Sequence, residues 1–244
     1  MQYQLGYRLL FIPFIALMLF LSYAYNKVER DHLVTKPSIK EYRSENLSPV
    51  FWIYTAFTFF CILGFVNFSI IGYHLKAKNL MTDGSITLLY SIAMLVDAVS
   101  ALVVGRIYDR LKIRTNLKTG GIFVLMLIPF ITLLLPVLTL GKSTVLIVMG
   151  MIIFGIIMGT HETVMQSAIA DITPFNKRGT GYGVFNTSYG LALLGGSALM
   201  GLFYDINKIR VIIGFTWVVE FIAIILYFKM NSIIKNSHDI NVNE

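Results

Sequence analysis

Residues 96–114, VDAVSALVVGRIYDRLKIR, put one carboxylate, Asp97, inside an otherwise apolar run and end that run in a dense basic loop. An ionisable side chain at the centre of a lipid-embedded helix costs roughly 2.5–3.5 kcal/mol, so it normally faces protein or a water-filled cavity. Asp97 therefore marks a candidate working interior. The loop that follows carries Arg106, Arg110, Lys112 and Arg114, charge of the kind retained on the cytoplasmic face of a membrane. It sets the orientation of everything on either side.

The composition agrees with a membrane setting. Hydrophobic residues make up 56% of the 244 and charged residues 14%, where a soluble domain carries about a quarter charged. The expected fold class is an all-α integral membrane protein with the lipid bilayer as its first partner. The formal net charge of +7 raises the question of nucleic acid or anionic substrates. The bases lie in short loops between apolar runs rather than on one face, which makes them topology charge and argues against a nucleic-acid partner. Cys61 is the sole cysteine and sits inside an apolar run, so an intrachain disulfide is excluded and no metal site or cofactor is implied.

Seven runs are long enough to span, given that a bilayer needs about 20 apolar residues: Leu9 to Tyr25, Val50 to Tyr73, Ser85 to Tyr108, Leu117 to Leu140, Thr144 to Ala168, Tyr182 to Tyr204 and Ile209 to Phe228. The first also has signal-peptide features, with Arg8 before it and Ser22-Tyr23-Ala24 near its end. Cleavage there would leave a basic segment outside, so a retained helix is the favoured reading. The domain plan is a single transmembrane helix over 1–25, a cytoplasmic linker over 26–48, a six-helix transmembrane domain over 49–230 and a cytoplasmic tail over 231–244. Trp52, Tyr54 and Tyr73 are placed like interfacial anchors, and Pro129 and Pro136 predict a kinked helix.

With the linker inside, 14 of the 20 Lys and Arg residues fall on the cytoplasmic side and 6 on the other. That split puts Met1 outside and Glu244 inside a cell membrane. The third and sixth runs end in the same frame, Gly105-Arg-Ile-Tyr108-Asp109 and Gly201-Leu-Phe-Tyr204-Asp205. They are the middle members of two successive triplets and end on opposite faces, as two three-helix units of inverted topology require.

Gly105, Asp109 and Arg110, followed by Lys112 and Arg114, resemble the loop motif between the second and third helices of each half of the major facilitator superfamily. Lys112 stands where that motif has its second glycine. Residues 170–183, ADITPFNKRGTGYG, are similar to the tenth-to-eleventh helix junction of bacterial and archaeal members. The resemblance implies that the six helices from Val50 form the second half of such a transporter, built as 3+3 inverted repeats. It also implies that Leu9 to Tyr25 is the last helix of the first half. The five other helices would then come from a separately encoded first half, a second copy of the chain or a longer reading frame. The resemblance further makes Gly105, Asp109 and Arg110 gating-loop candidates through state-dependent charge contacts. Asp171 and Arg178, which bracket Pro174, are candidates for a similar role, with a solvated loop as the alternative.

In the fifth run Gly155, Gly159, Glu162 and Gln166 recur at helical spacing and share a face. Glu162 can hold a proton or cation and Gln166 can orient a polar solute; the alternative is a packing face with a locally satisfied carboxyl. His161 lies about 100° round the helix and is either a proton relay or packed against Met158 and Met165. Met165 occupies the position of the second histidine of a zinc-peptidase motif, which excludes that chemistry, and no nucleophilic triad or P-loop is present. In the sixth run Gly183, Asn186, Gly190, Leu194, Ser197 and Gly201 share a small-residue face whose leading account is close helix packing, Asn186 being the member placed to touch a solute. Glu220 is left without a role. The function expected is secondary transport of a small solute by alternating access, with Asp97 and Glu162 as proton or substrate sites, and not enzyme catalysis. The alternative is a non-transporting remnant or membrane interaction protein.

Overall fold

A run of apolar residues in lipid can satisfy its backbone amides only within a helix or a closed barrel. The computed structural model describes residues 11–30, 47–115, 120–206 and 208–242, and no strand occurs among them. The chain divides into two compact units, Met1–Glu45 and Asn46–Glu244. In the first, α1 covers Phe11–Arg30, so the helix continues past Tyr25 into the segment expected to be linker. Most of that expected linker, residues 31–46, lies outside the described residues, as do Arg8, Lys118 and both chain ends.

The second unit contains α2 (Pro49–Gly64), α3 (Phe68–Ala77), α4 (Asp83–Thr115), α5 (Leu127–Thr132), α6 (Leu135–Thr139), α7 (Thr144–Thr160), α8 (Gln166–Ile172), α9 (Arg178–Asp205) and α10 (Ile209–Val242). Five stretches are long and apolar enough to cross a membrane: Pro49–Ala77, Asp83–Thr115, Gly121–Thr139, Thr144–Ile172 and Ile209–Lys235. These answer to five of the seven expected runs. The other two, α1 and α9, are helical but outside that set, α9 being rich in glycine, serine and tyrosine. At the far end α10 runs on through Val242, so much of the expected tail continues the last helix.

Three of the spans are interrupted. The third is a 3₁₀ segment, Gly120–Met126, followed by α5 and α6, and its break falls between Pro129 and Pro136 as the prolines predict. The Trp217 indole donates to the exposed Leu133 carbonyl there at 3.1 Å. The first span breaks without a proline. It starts under a Ser48 cap, whose hydroxyl accepts from the Phe51 amide at 3.2 Å, and stops at Gly64. Phe65 is extended, and Asn67 restarts the helix by accepting the Ile70 amide at 3.2 Å. The Thr216 hydroxyl donates to the Gly64 carbonyl at 3.0 Å, supplying a partner at the helix end. The fourth span holds a π-helical turn, His161–Met165, between α7 and α8.

Packing is closest where glycine removes a side chain. Helix α4 lies against α7, and a Cβ on Gly159 would come within 2.5 Å of the Asp97 carbonyl and 2.9 Å of the Ala101 nitrogen. On the other side α2 packs against α9 and α10, and a Cβ on Gly196 would strike the Leu63 backbone. Tyr54 corrects the expectation of an aromatic belt. Trp52 and Tyr73 are exposed, but Tyr54 is fully enclosed and donates to the Met165 carbonyl at 2.9 Å, because its side of α2 faces the π turn.

Candidate functional site

The π turn determines where the polar side chains of the fourth span point. A π turn takes one residue more than an α turn, so the face defined upstream is displaced downstream. Gly155 and Gly159 are buried against α4, whereas Glu162 is exposed and Gln166 half-buried. The four therefore share a face in the sequence pattern but divide in the structure between a packing seam and an open surface. Two tyrosine hydroxyls hold the turn from outside: Tyr54 donates to the Met165 carbonyl, and Tyr182 donates to that of Gln166 at 3.1 Å.

Four of the five predicted solute or proton residues fall into two pairs. Asp97 of α4 and Glu162 lie within electrostatic reach of each other. Gln166 donates from Nε2 to Asn186 Oδ1 of α9 at 3.3 Å. One oxygen of Asp97, Oδ1, is buried at the Gly159 contact without a hydrogen-bond partner among the described residues. His161, the fifth, joins neither pair. It is enclosed, its ring 5.4 Å from that of Phe65, with neither nitrogen bonded to a described residue.

Phe65 connects the turn to the break in the first span, and a cleft of about 480 Å³ opens beside it. Its wall carries the rings of Phe65, Phe68, Tyr90, Phe154 and Tyr189. Asn67, Ser69 and Ser197 supply polar atoms, and the Asn67 amide donates to Ser197, tying the restarted helix to α9. Tyr189 is also within electrostatic reach of Glu162. The α9 face corrects the packing expectation. No atom lies within 4 Å of where a Cβ on Gly183, Gly190 or Gly201 would stand, and Gly190, Leu194 and Ser197 line the cleft. The glycines of α9 that pack closely are Gly181, against Thr173, and Gly196, against the Leu63 backbone, neither of them on the predicted face.

The gating candidates are redistributed in the same way. Asp109 and Arg110 are exposed and form no ion pair among the described residues, while Gly105 packs against Thr163 of the π turn. Asp171 instead receives Lys112 Nζ at 2.7 Å and the Tyr108 hydroxyl at 2.8 Å. Arg178 donates to the Ala170 carbonyl at 3.0 Å and lies over the Phe175 ring. At the opposite end, Tyr204 meets His74 Nδ1 at 3.0 Å, and His74 Nε2 meets the Gly141 carbonyl at 3.0 Å. A carbonyl only accepts, so the Gly141 contact requires Nε2 to donate. The repeated Gly-x-x-Tyr-Asp frame, read in the sequence as a sign of an inverted repeat, thus holds two bonded tyrosines that the sequence reading did not single out. Asn67, Tyr189 and Lys112 were not predicted as site residues; an asparagine inside an apolar run is the one that carried a usable capping signal.

Residues 3–194 and 124–238 match the family model of the Major Facilitator Superfamily. The chain belongs to this superfamily. Three curated relatives, one from Mycobacterium bovis and two from strains of Mycobacterium tuberculosis, each named only as an uncharacterized protein, are 29% identical over 180 residues. The aligned part is 74% of this chain but 42% of each relative, so this superfamily member spans about two fifths of the length of the curated relatives it matches. No solved structure matches it significantly.

Proposed function

We propose that residues 49–230 act as one six-helix half of a secondary transporter that moves a small solute by alternating access. The observation that carries this reading is the meeting of two interrupted helices, the broken first span and the π-turned fourth, at the Phe65–His161 contact. Interrupted helices at corresponding positions of two repeats are where transporters of inverted topology build their sites. The two tyrosines support the same repeat plan. Tyr108, on the second helix of the first triplet, bonds Asp171 at the end of the first helix of the second triplet. Tyr204, on the second helix of the second triplet, bonds His74 at the end of the first helix of the first triplet.

In this reading α1 and α9 also cross the bilayer, giving seven spans, and the cytoplasmic side carries the Lys112–Asp171 pair. Asp97 and Glu162 exchange protons or hold the solute's charge; Gln166 and Asn186 orient its polar groups. A rocking transporter needs a complementary half, from further sequence, another chain or a second copy. The test is solute-driven proton movement in proteoliposomes with that half supplied. Flux is expected to fall in Asp97→Asn and Glu162→Gln. Flux that survives both substitutions together removes these carboxylates from the mechanism, and the absence of flux for every solute tried favours a non-transporting interaction protein.

A further inference from the structure

Glu220 stands about midway along the apolar stretch Ile209–Lys235 and is fully enclosed. Neither of its carboxyl oxygens has a hydrogen-bond partner among the described residues. An acid inside a membrane normally faces water or a countercharge; Glu220 faces the end of a helix. A Cβ on Gly64, the last residue of α2, would stand 2.8 Å from Glu220 Oε1, so the carboxyl occupies room that the glycine leaves. One turn earlier on α10, the Thr216 hydroxyl donates to the Gly64 carbonyl at 3.0 Å. Carboxyl and hydroxyl therefore converge where α2 stops and Phe65 becomes extended.

The charges at this point share one sign. A helix C-terminus carries about half a negative charge, on carbonyls that lack intrahelical partners. A carboxylate buried against it is strongly destabilising unless a positive charge lies with it. Because Glu220 has no exposed surface, that charge cannot arrive on a lysine or arginine of a chain packed outside. It has to be small enough to be enclosed with the carboxyl. The atoms on offer are hard oxygens: two from Glu220, the hydroxyl of Thr216 with its lone pairs, and the second lone pair of the Gly64 carbonyl. Their single formal negative charge matches a monovalent ion, and the C-terminal ends of broken helices are known coordinators of sodium in membranes.

We propose that Glu220, Thr216 and the Gly64 carbonyl bind one sodium ion at the break between α2 and α3. The site uses none of the residues assigned to the solute and stands whether or not the chain transports.

Thermal unfolding of the purified full chain in detergent tests this, with sodium chloride exchanged for choline chloride at constant total concentration. Ionic strength is then fixed, and choline is too large to be enclosed. Sodium is expected to raise the unfolding temperature by about 3 °C for each tenfold rise in concentration above its dissociation constant. The rise should vanish in Glu220→Gln, which keeps the side chain's shape and removes its charge. It should vanish equally in Gly64→Ala, whose Cβ takes the room of Oε1 while Glu220 stays. It should persist in Val218→Ala, at an exposed position of α10. A parent indifferent to sodium means that the carboxyl is neutralised by a proton alone, and overturns the proposal. A rise that survives both substitutions, or that is lost in Asp97→Asn and kept in Glu220→Gln, puts the ion elsewhere and overturns it as well. Where Glu220→Gln does not fold, Gly64→Ala decides.

Discussion

The same substitution should have opposite signs at two glycines. Alanine at Gly159 would bring a Cβ within 2.5 Å of the Asp97 carbonyl, and backbone cannot step aside as a side-chain tip can. Gly159→Ala is expected to destabilise the protein by about 1–3 kcal/mol, the usual cost of overpacking. At Gly190 nothing stands within 4 Å, the backbone is not left-handed, and alanine improves helix propensity. Gly190→Ala should therefore hold or raise stability, by up to about 1 kcal/mol, while narrowing the cleft; thermal unfolding in detergent reads both. A second residue-scale expectation concerns Lys112, whose side chain and that of Asp171 are 29% and 15% exposed. Partial exposure leaves the ion pair open to screening, and Tyr108 continues to serve Asp171 without it. Lys112→Met should cost about 1 kcal/mol at low salt and less at high salt. Arg110→Ala, at an exposed residue without an ion pair among those described, should fall within about 0.5 kcal/mol of the parent.

Among elements, the break between α2 and α3 makes the sharper prediction because one side chain restarts the helix and ties it to α9. Asn67→Ala removes the cap on Ile70 and the contact to Ser197 together, and should cost about 0.5–2 kcal/mol for the cap alone. Asn67→Asp keeps the capping oxygen and loses only the donor, so thermal unfolding should place it between the parent and the alanine variant. These interruptions also mark how far the sequence could be read. Apolar length announced the spans, and Pro129 and Pro136 announced their own break, because a missing N–H is a local property of one residue. The break at Phe65 has only the Asn67 capping signal after it, and the π turn at His161 has no such residue. They depend on partners far along the chain: Thr216 for the Gly64 carbonyl, and Tyr54 and Tyr182 for the carbonyls after the turn. Helical spacing groups Gly183, Asn186 and Gly190 on one face. In a chain this apolar it could not say whether that face met a neighbour or an opening, since both are lined by small residues. Glu162 and Gln166 stood out in the sequence because polar groups are rare in such helices, and their separation from Gly155 and Gly159 was hidden by the turn between them.

At the scale of the molecule, the open question is whether α9 crosses the bilayer, and the lone cysteine makes it testable. Cys61 is fully buried and should stay silent to an impermeant maleimide. Thr82 lies just before α4, Lys142 just before α7, Phe175 between α8 and α9, and Ile206 just after α9; all four are exposed. Three of the five apolar spans separate Thr82 from Phe175, and one separates Lys142 from it. In the proposed topology those two positions label from the face opposite Phe175, and Phe175 is inside. Ile206 depends on α9 alone. Its glycines and hydroxyls lower its apolarity, but residues lining a cleft need not face lipid, so a spanning helix can carry them. Labelling of intact cells is expected at Thr82→Cys, Lys142→Cys and Ile206→Cys, with Phe175→Cys reacting only after permeabilisation. If Ile206→Cys instead behaves like Phe175→Cys, α9 does not cross. The contact of Tyr204 with His74 at the outer end would then have to be abandoned, and the inverted repeat with it, since Tyr108 and Tyr204 could no longer close opposite faces of one bundle.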